Sequence, residues 1–338
     1  MEKMTSRERI MAALGLKEPD RIPFADWIDE GIRKKLCLVF GEETLDDAEF
    51  AKRIGFDAID FQGFCHACPI ADVTVMDASG RIMYTGKGLV KTEKDLDRLT
   101  FCDPRDDRNY EEAKRFVERY GHEDLALYAG LRSGMMATIF SLGWEGFSDT
   151  LYENVALVET LMDRYIEWNC AVAEKLQSIG FDFFIVYDDI AYKAGPMFSG
   201  EVLRGIFLPK LRALAQTFRI PWVFHSDGDL SPILDDLLSL GMDGLNPIEP
   251  PVMNMKTVKE AYGNRICLWG NIDLTYTLSR GAPEEVEAEV RQRILEAGPG
   301  GGYILGSSNS ITDYCKVENV LAMARAVSRY GQYPLSLN

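Results

Sequence analysis

The chain predicts an α/β barrel of the (β/α)8, TIM-barrel type, on three observations. Short apolar segments alternate with helical stretches along nearly the whole sequence, the pattern of a parallel sheet with helical crossovers. Eight such segments are present, the number a closed barrel needs. No G-x-G-x-x-G follows an early segment, so the alternative, a doubly wound open sheet, lacks its diagnostic loop.

Thr5 or Ser6 is placed to cap a first helix, and Ile10, Met11, Leu14 and Leu16 give it one apolar side. Residues 1–20 therefore read as an amino-terminal helical arm. The eight strands are expected at Arg21–Asp26, Phe56–Gln62, Leu125–Gly130, Phe183–Asp189, Pro221–His225, Gly244–Glu249, Ile266–Asp273 and Gly302–Asn309. Val155, Val158, Leu161, Met162, Tyr165 and Ile166, continued by Val172, Leu176 and Ile179, recur at helical spacing. Ser231-Pro232 and Pro283-Glu-Glu285 open further helices, because proline is tolerated in a first turn. Glu318–Tyr330 is the last. One interruption breaks the rhythm: residues 74–92 alternate in strand fashion around Asp77-Ala-Ser-Gly80, which predicts a β-hairpin inserted after the second strand. A single domain over 1–338 is expected.

The 338 residues are 46% hydrophobic, enough for a large core, and Lys+Arg 37 against Asp+Glu 53 leaves a formal charge of −16. Nucleic acid and anionic membrane both need clustered cations, so both are disfavoured as partners. No apolar run approaches the roughly 20 residues of a membrane span, and the charged amino terminus lacks a signal-peptide core. Seven cysteines, an odd number, read as reduced thiols. A cytoplasmic protein acting on a small molecule is expected, with homodimerisation open.

Polar residues collect at the strand ends: Asp26, Asp60 with Gln62, Tyr187-Asp188-Asp189, His225 with Asp227, Glu249, Asn271 with Asp273, and Ser307-Ser308-Asn309. In a barrel these carboxyl ends converge on one mouth. His225 is one of three histidines. Asp227 lies two positions on, so an extended backbone points both side chains the same way. His225, Asp188 and Glu249 are therefore read as site residues, whereas Ser199, Ser231 and Thr275 suit helix caps. Arg132, just past the third strand, is suited to holding a carboxylate or phosphate tail. Cys65-His-Ala-Cys68 has metal-knuckle spacing at one end only, with no second pair to complete it.

The chain resembles the uroporphyrinogen decarboxylase-like superfamily over nearly its full length. The likeness is carried by Arg7-Glu-Arg-Ile-Met-Ala-Ala-Leu14 with Pro19-Asp-Arg-Ile-Pro23, Tyr187-Asp-Asp189, Pro221 to Asp229, Gly270-Asn-Ile-Asp273, and Gly301-Gly-Tyr-Ile-Leu-Gly306 with Glu318-Asn319. The resemblance implies a TIM barrel with its active site at the carboxyl face. True decarboxylases of the superfamily carry an early arginine-rich R-Q-A-G-R motif that grips substrate carboxylates. Here Ile22-Pro-Phe-Ala-Asp-Trp-Ile-Asp-Glu30 has three acids and no arginine, which would repel such a substrate by about 1 kcal/mol per close exposed pair.

The resemblance is nearer to the cobamide-dependent methyltransferases, which hold zinc through His-x-Cys on the fifth strand and a cysteine after the eighth. The zinc lowers the pKa of an attacking thiol. His225 keeps the histidine slot, Asp227 stands in the first cysteine slot and Asn309 falls near the second, with Cys315 a little beyond. The implied ligand set is His225, Asp227 and Glu249, harder than the family's pattern; the other version is a metal-free His225 acting as acid/base. The resulting expectation is methyl transfer between a separate corrinoid protein, carrying the methylcobamide, and a small acceptor. Asp188, Asn271 and Asn309 would orient substrate, helped by Asp26, Tyr187, Asp189 and Arg132. The alternatives are a decarboxylase or lyase on a small acid, and a barrel that only binds a ligand.

Overall fold

A computed structural model describes residues 3–76 and 82–335, apart from the side chains of Cys65 and His66. Its strands are β1 (Ala58–Phe61), β2 (Thr74–Met76), β3 (Ile82–Tyr84), β4 (Ala126–Arg132), β5 (Phe183–Tyr187), β6 (Ala191–Tyr192), β7 (Gly195–Pro196), β8 (Trp222–His225), β9 (Gly244–Asn246), β10 (Cys267–Trp269) and β11 (Tyr303–Ile304). Seven of them form one parallel sheet in the order β1-β4-β5-β8-β9-β10-β11. Sequential strands are thus spatial neighbours, and helices cross between most of them. The sheet curls in TIM-barrel-like fashion.

The predicted first strand is not a continuous ladder. It makes single parallel bridges, Phe24 with Leu305 and Ile28 with Ile311. The reason is local: Pro23 has no N–H to give, and the Phe24 N–H donates to the Asp57 carboxylate at 2.8 Å instead of to a strand. Even so, this segment touches both edges of the sheet. Phe24 O accepts from Asp57 N at 2.7 Å, and Leu305 N donates to Pro23 O at 2.9 Å.

Strand alternation divides the core in two. Outward residues such as Phe184, Phe224 and Leu268 pack under the helices. Inward residues, among them Ala58, Tyr128, Phe183, Val223 and Trp269, form a second cluster inside the curl. The first helix, Ser6–Leu14, is capped by a reciprocal Thr5–Glu8 pair and is no free arm. Its Ile10, Ala13 and Leu14 belong to the inner cluster, and Arg7 N donates to Asp124 O just ahead of β4. It therefore plugs the amino-terminal end of the curl. This leaves the opposite, carboxyl end as the open mouth.

The long helix Val155–Ile179 buries Val158, Leu161, Met162, Tyr165 and Ile166 as the periodicity predicts. β2 and β3 pair antiparallel, Thr74 with Tyr84 and Met76 with Ile82. The predicted turn at 77–80 lies outside the described residues. Pairing ends at Tyr84, short of residue 92, because Leu89 N and Val90 N donate back to Ala71 O and Ser141 O. Among the described residues no helix is long and apolar enough to cross a membrane.

Asp57 holds the amino-terminal segment in place. Fully buried, it accepts from Arg9 Nη1 at 2.7 Å and from both Arg21 Nη atoms at 2.8 Å, besides Phe24 N. Removing one partner of such a buried set strands the other charges, a loss of about 3–5 kcal/mol. Asp57→Ala is expected to lower the free energy of unfolding in urea by that amount. Glu260→Ala, which breaks the exposed Lys256–Glu260 pair, should change it by about 0.5 kcal/mol or less.

Candidate active site

β8 ends in His225, whose side chain shares the inward face with Val223. Beyond it the backbone turns at Gly228, where φ is +89° and a side chain would strike the Ala191 backbone at 2.5–2.6 Å. Only glycine lets this loop lie so close against the loop that follows β5. Three hydrogen bonds then stitch the two loops together. Ile190 N donates to Ser226 Oγ at 3.1 Å, Asp227 N to Asp189 Oδ1 at 3.0 Å, and Asp229 N to Tyr192 O at 2.9 Å. The stitching brings one atom each of Asp189, His225 and Asp227 within 4.8 Å of one another.

The imidazole is held in a fixed state. His225 Nδ1 lies 2.5 Å from Asn246 Oδ1, while Asn246 Nδ2 donates to Trp269 O at 3.0 Å. Because the amide nitrogen is committed to that carbonyl, its oxygen faces the ring and must accept. Nδ1 therefore carries a proton, and Nε2 faces Asp189 Oδ1 at 3.8 Å. Trp27 and Tyr187 wall the ring, with centroids 5.8 and 5.2 Å away.

Asp227 is incompletely satisfied. Its Oδ2 accepts from Asn309 Nδ2 at 2.6 Å, and its Oδ1 is buried with no partner. Burial pushes its carboxyl up to about 6, helped by Asp189 and Glu249 and opposed by His225. An imidazole nitrogen, an unpartnered carboxylate oxygen and a half-exposed carboxylate form a donor set suited to a positive centre. Their chemistry fits a zinc ion or similar cation. The Nδ1–H bond to Asn246 is the outer-shell contact that a metal-bound histidine normally has.

The other sequence-predicted residues fall into two groups. Asn309 joins the site through Asp227. Tyr187 lines it, accepting from Gln62 Nε2 at 2.9 Å; a side chain at Gly130 would collide with both. Asn271 is buried, donates to Ile248 O at 2.6 Å and leaves Oδ1 unpartnered. Asp189, expected only to touch substrate, takes the position in the donor group expected of Glu249. Glu249 stands outside that group, because its Oε2 accepts from Gly228 N at 2.7 Å and supports the loop.

Asp188 faces the loop that follows β4. Its two oxygens accept from Ser133 N, Gly134 N and Met136 N at 2.6–3.1 Å, so it anchors the start of the helix Met135–Leu142. As placed, its carboxylate is engaged by these amides and stands apart from the donor group around His225. Arg132 ends β4 half-buried, where its charge favours ionised Asp188. Asp26 is likewise committed to structure, accepting from Ser307 N at 2.6 Å, Ser307 Oγ at 3.0 Å and Trp27 N at 2.9 Å. Cys315 is buried beside Thr312 and lies outside the donor group, and Cys68 is buried in the outer core.

The sequence reading missed Asn246 and Trp27. Both were discoverable by parity: Asn246 is two residues from the inward Gly244, and Trp27 two from the inward Ala25.

Two outcomes test this geometry. Nitrogen NMR of the His225 ring is expected to report a proton on Nδ1, with Asn246→Leu abolishing that preference. Asp26 carries a pH signature, since burial lifts its carboxyl from 3.8 to about 8 against the three hydrogen bonds. The folded chain then keeps a proton that the unfolded chain releases between those values. Stability should fall as pH rises from about 4 to about 8 and level off beyond. Urea midpoints across that range should show a shallower pH dependence in Asp26→Asn.

Comparison with known proteins agrees with this architecture. A methyltransferase from Methanosarcina mazei superposes with a TM-score of 0.74, at 22% identity, over 97% of this chain and 99% of that one. A B12-independent methionine synthase from Shewanella sp. W3-18-1 follows at 0.52 and 12% identity, covering 93% and 97%. By sequence, a methylcobamide:CoM methyltransferase of Methanosarcina barkeri is 23% identical over 65% of this chain and 62% of its own length. The uroporphyrinogen decarboxylase of Methylococcus capsulatus is 25% identical over 72% and 70%. The match thus spans about three fifths of that methyltransferase. The model of the uroporphyrinogen decarboxylase (URO-D) family matches residues 50–330, and the chain belongs to that family.

Proposed function

We propose that this chain is a methyl-transfer enzyme that moves a methyl group between a corrinoid protein and a small acceptor at the mouth of an eight-stave barrel, in the cytoplasm. The observation that carries the reading is the convergence of Asp189, His225 and Asp227 within 4.8 Å at the ends of two adjacent strands. Support comes from the relatives: a methylcobamide:CoM methyltransferase and a methylated-thiol–coenzyme M methyltransferase are both similar to this chain.

In this reading His225 Nε2, Asp227 and Asp189 hold a zinc ion. Bound there, zinc supplies Lewis acidity that lowers the pKa of an acceptor thiol or hydroxyl. Asn246 keeps the Nε2 lone pair pointed at the site by holding the proton on Nδ1. Asn309 orients Asp227, and the stitched loops fix Asp189 against it. Trp27 and Tyr187 flank His225 and exclude water from one side of the reacting centre. Asn271, whose buried Oδ1 has no protein partner, would accept a hydrogen bond from substrate.

The test begins with metal content of protein purified without chelator and then titrated with zinc. One equivalent is expected, lost in His225→Ala and Asp227→Ala. Asn246→Ala should weaken zinc by about 10–100-fold, the usual cost of an outer-shell partner. Free methylcobalamin then serves as donor, with coenzyme M, other thiols and tetrahydrofolate as acceptors, loss of the methyl–cobalt absorbance being the readout. No stoichiometric metal together with no methyl loss would overturn the proposal. Release of carbon dioxide from a small acid would replace it with a decarboxylase.

A further inference from the structure

One side of the helix Trp144–Glu153 borders a groove of about 470 Å³. Trp144, Glu145, Ser148 and Asp149 all line it, because residues four apart on a helix share a face. Tyr192, in the β6–β7 pair, lines it as well, together with the buried Phe147. Its aromatic rings and its charges both bear on what it can hold.

The rings form an open V. Trp144 and Tyr192 are 36% and 53% exposed, with centroids 6.3 Å apart and planes inclined at 45°. One cation can lie within about 6 Å of both centroids in such a V, the reach of a cation–π contact. The indole is held in place for this. Trp144 N donates to Gly86 O at 3.0 Å, its ring meets Phe140 edge to face at 5.1 Å, and a side chain at Gly86 would strike it.

The charges are one-sided. Glu145 and Asp149 stand one helical turn apart, and neither pairs with a cation among the described residues. Like charges at that spacing destabilise a helix. The helix amino terminus offsets this for Glu145, but its field has faded a turn further on at Asp149. No lysine or arginine lines the groove. Lys91, which reaches the same helix, donates to Leu142 O at 3.2 Å.

We propose that this groove binds a small organic ammonium ion, its charge set against the Trp144 and Tyr192 faces and balanced by Glu145 and Asp149. Aromatic faces attract cations, and alkylated ammonium ions are the group that paired rings recognise best. Two unpaired carboxylates exclude anions, and the −16 charge of the chain concentrates cations around it. A groove of this volume suits a small molecule. Tyr192 O accepts from Asp229 N at 2.9 Å, so the groove shares a wall with the loop that carries Asp227. The assignment rests on neither a metal nor methyl transfer.

Calorimetric titration of the full chain with choline tests this, against neohexyl alcohol, which is choline with carbon in place of nitrogen. Choline is expected to bind at least about 10-fold tighter than its uncharged isostere. Tyr192→Leu should weaken choline by about 10-fold, and Glu145→Gln/Asp149→Asn by a similar factor. The second of these should keep the wild-type urea midpoint or raise it, since it removes a like-charge pair. Tyr152→Leu, at a 93% exposed ring on the same helix, and His225→Ala should leave choline affinity unchanged. No choline binding, or equal binding of choline and the alcohol, would overturn the proposal. So would choline binding that survives both groove variants, or that is lost in Tyr152→Leu or His225→Ala.

Discussion

A single carboxylate, that of Asp57, ties together parts of the chain that would otherwise have no reason to meet. It sits at the entrance to β1 and is fully buried. There it receives the Phe24 N–H and two guanidinium groups, from Arg9 in the first helix and Arg21 in the segment after it. Arg9 also reaches Asp20 at 2.6 Å, so charge is balanced locally. An isolated buried carboxylate would be prohibitive; a fully bonded one fixes geometry. The consequence is that residues 22–26 lie between the two edges of the sheet and the first helix plugs its amino end. The inner cluster is thereby covered from below by Ile10, Ala13 and Leu14.

At the mouth the chain reverses this economy and leaves polar atoms unmatched. Gly228 permits the loop after β8 to lie on Ala191, and three hydrogen bonds lock it to the loop after β5. The lock gathers two carboxylates around one imidazole and buries Asp227, and that burial raises its carboxyl while its Oδ1 is left without a partner. Unpaired buried polar atoms cost stability, and a fold that satisfies Asp57 so completely has no structural need for them here. Their rational use is a positive centre. Asn246 is the outer-shell residue that makes the arrangement directional, since it holds a proton on Nδ1.

The two carboxylates engaged by backbone amides are equally instructive. Asp26 and Asp188 both end their segments where a barrel mouth would be, yet each is saturated by backbone N–H donors. Loops that leave a parallel strand expose amides that need acceptors, and a strand-end aspartate is the nearest one. Position at a carboxyl end therefore nominates a residue for a site without assigning it. What separates Asp227 from Asp188 is the count of donors around each, one side-chain amide against three backbone N–H groups.

The sequence by itself determined the parallel order of the strands, the long amphipathic helices, and the pairing of His225 with Asp227, because periodicity and two-residue spacing are local properties. Family membership and the departure from a cysteine ligand set were legible through the resemblance that the sequence motifs carry. Only the tertiary structure decided that Asp189 replaces Glu249 beside the imidazole. It alone placed Asn246 behind the ring, turned Asp188 toward the helix amides and made the first helix a plug. Each of these depends on which groups meet across distant strands and loops. Spacing along a chain orients a side chain, but the donors that compete for it come from other strands, and their positions are set only when the sheet curls.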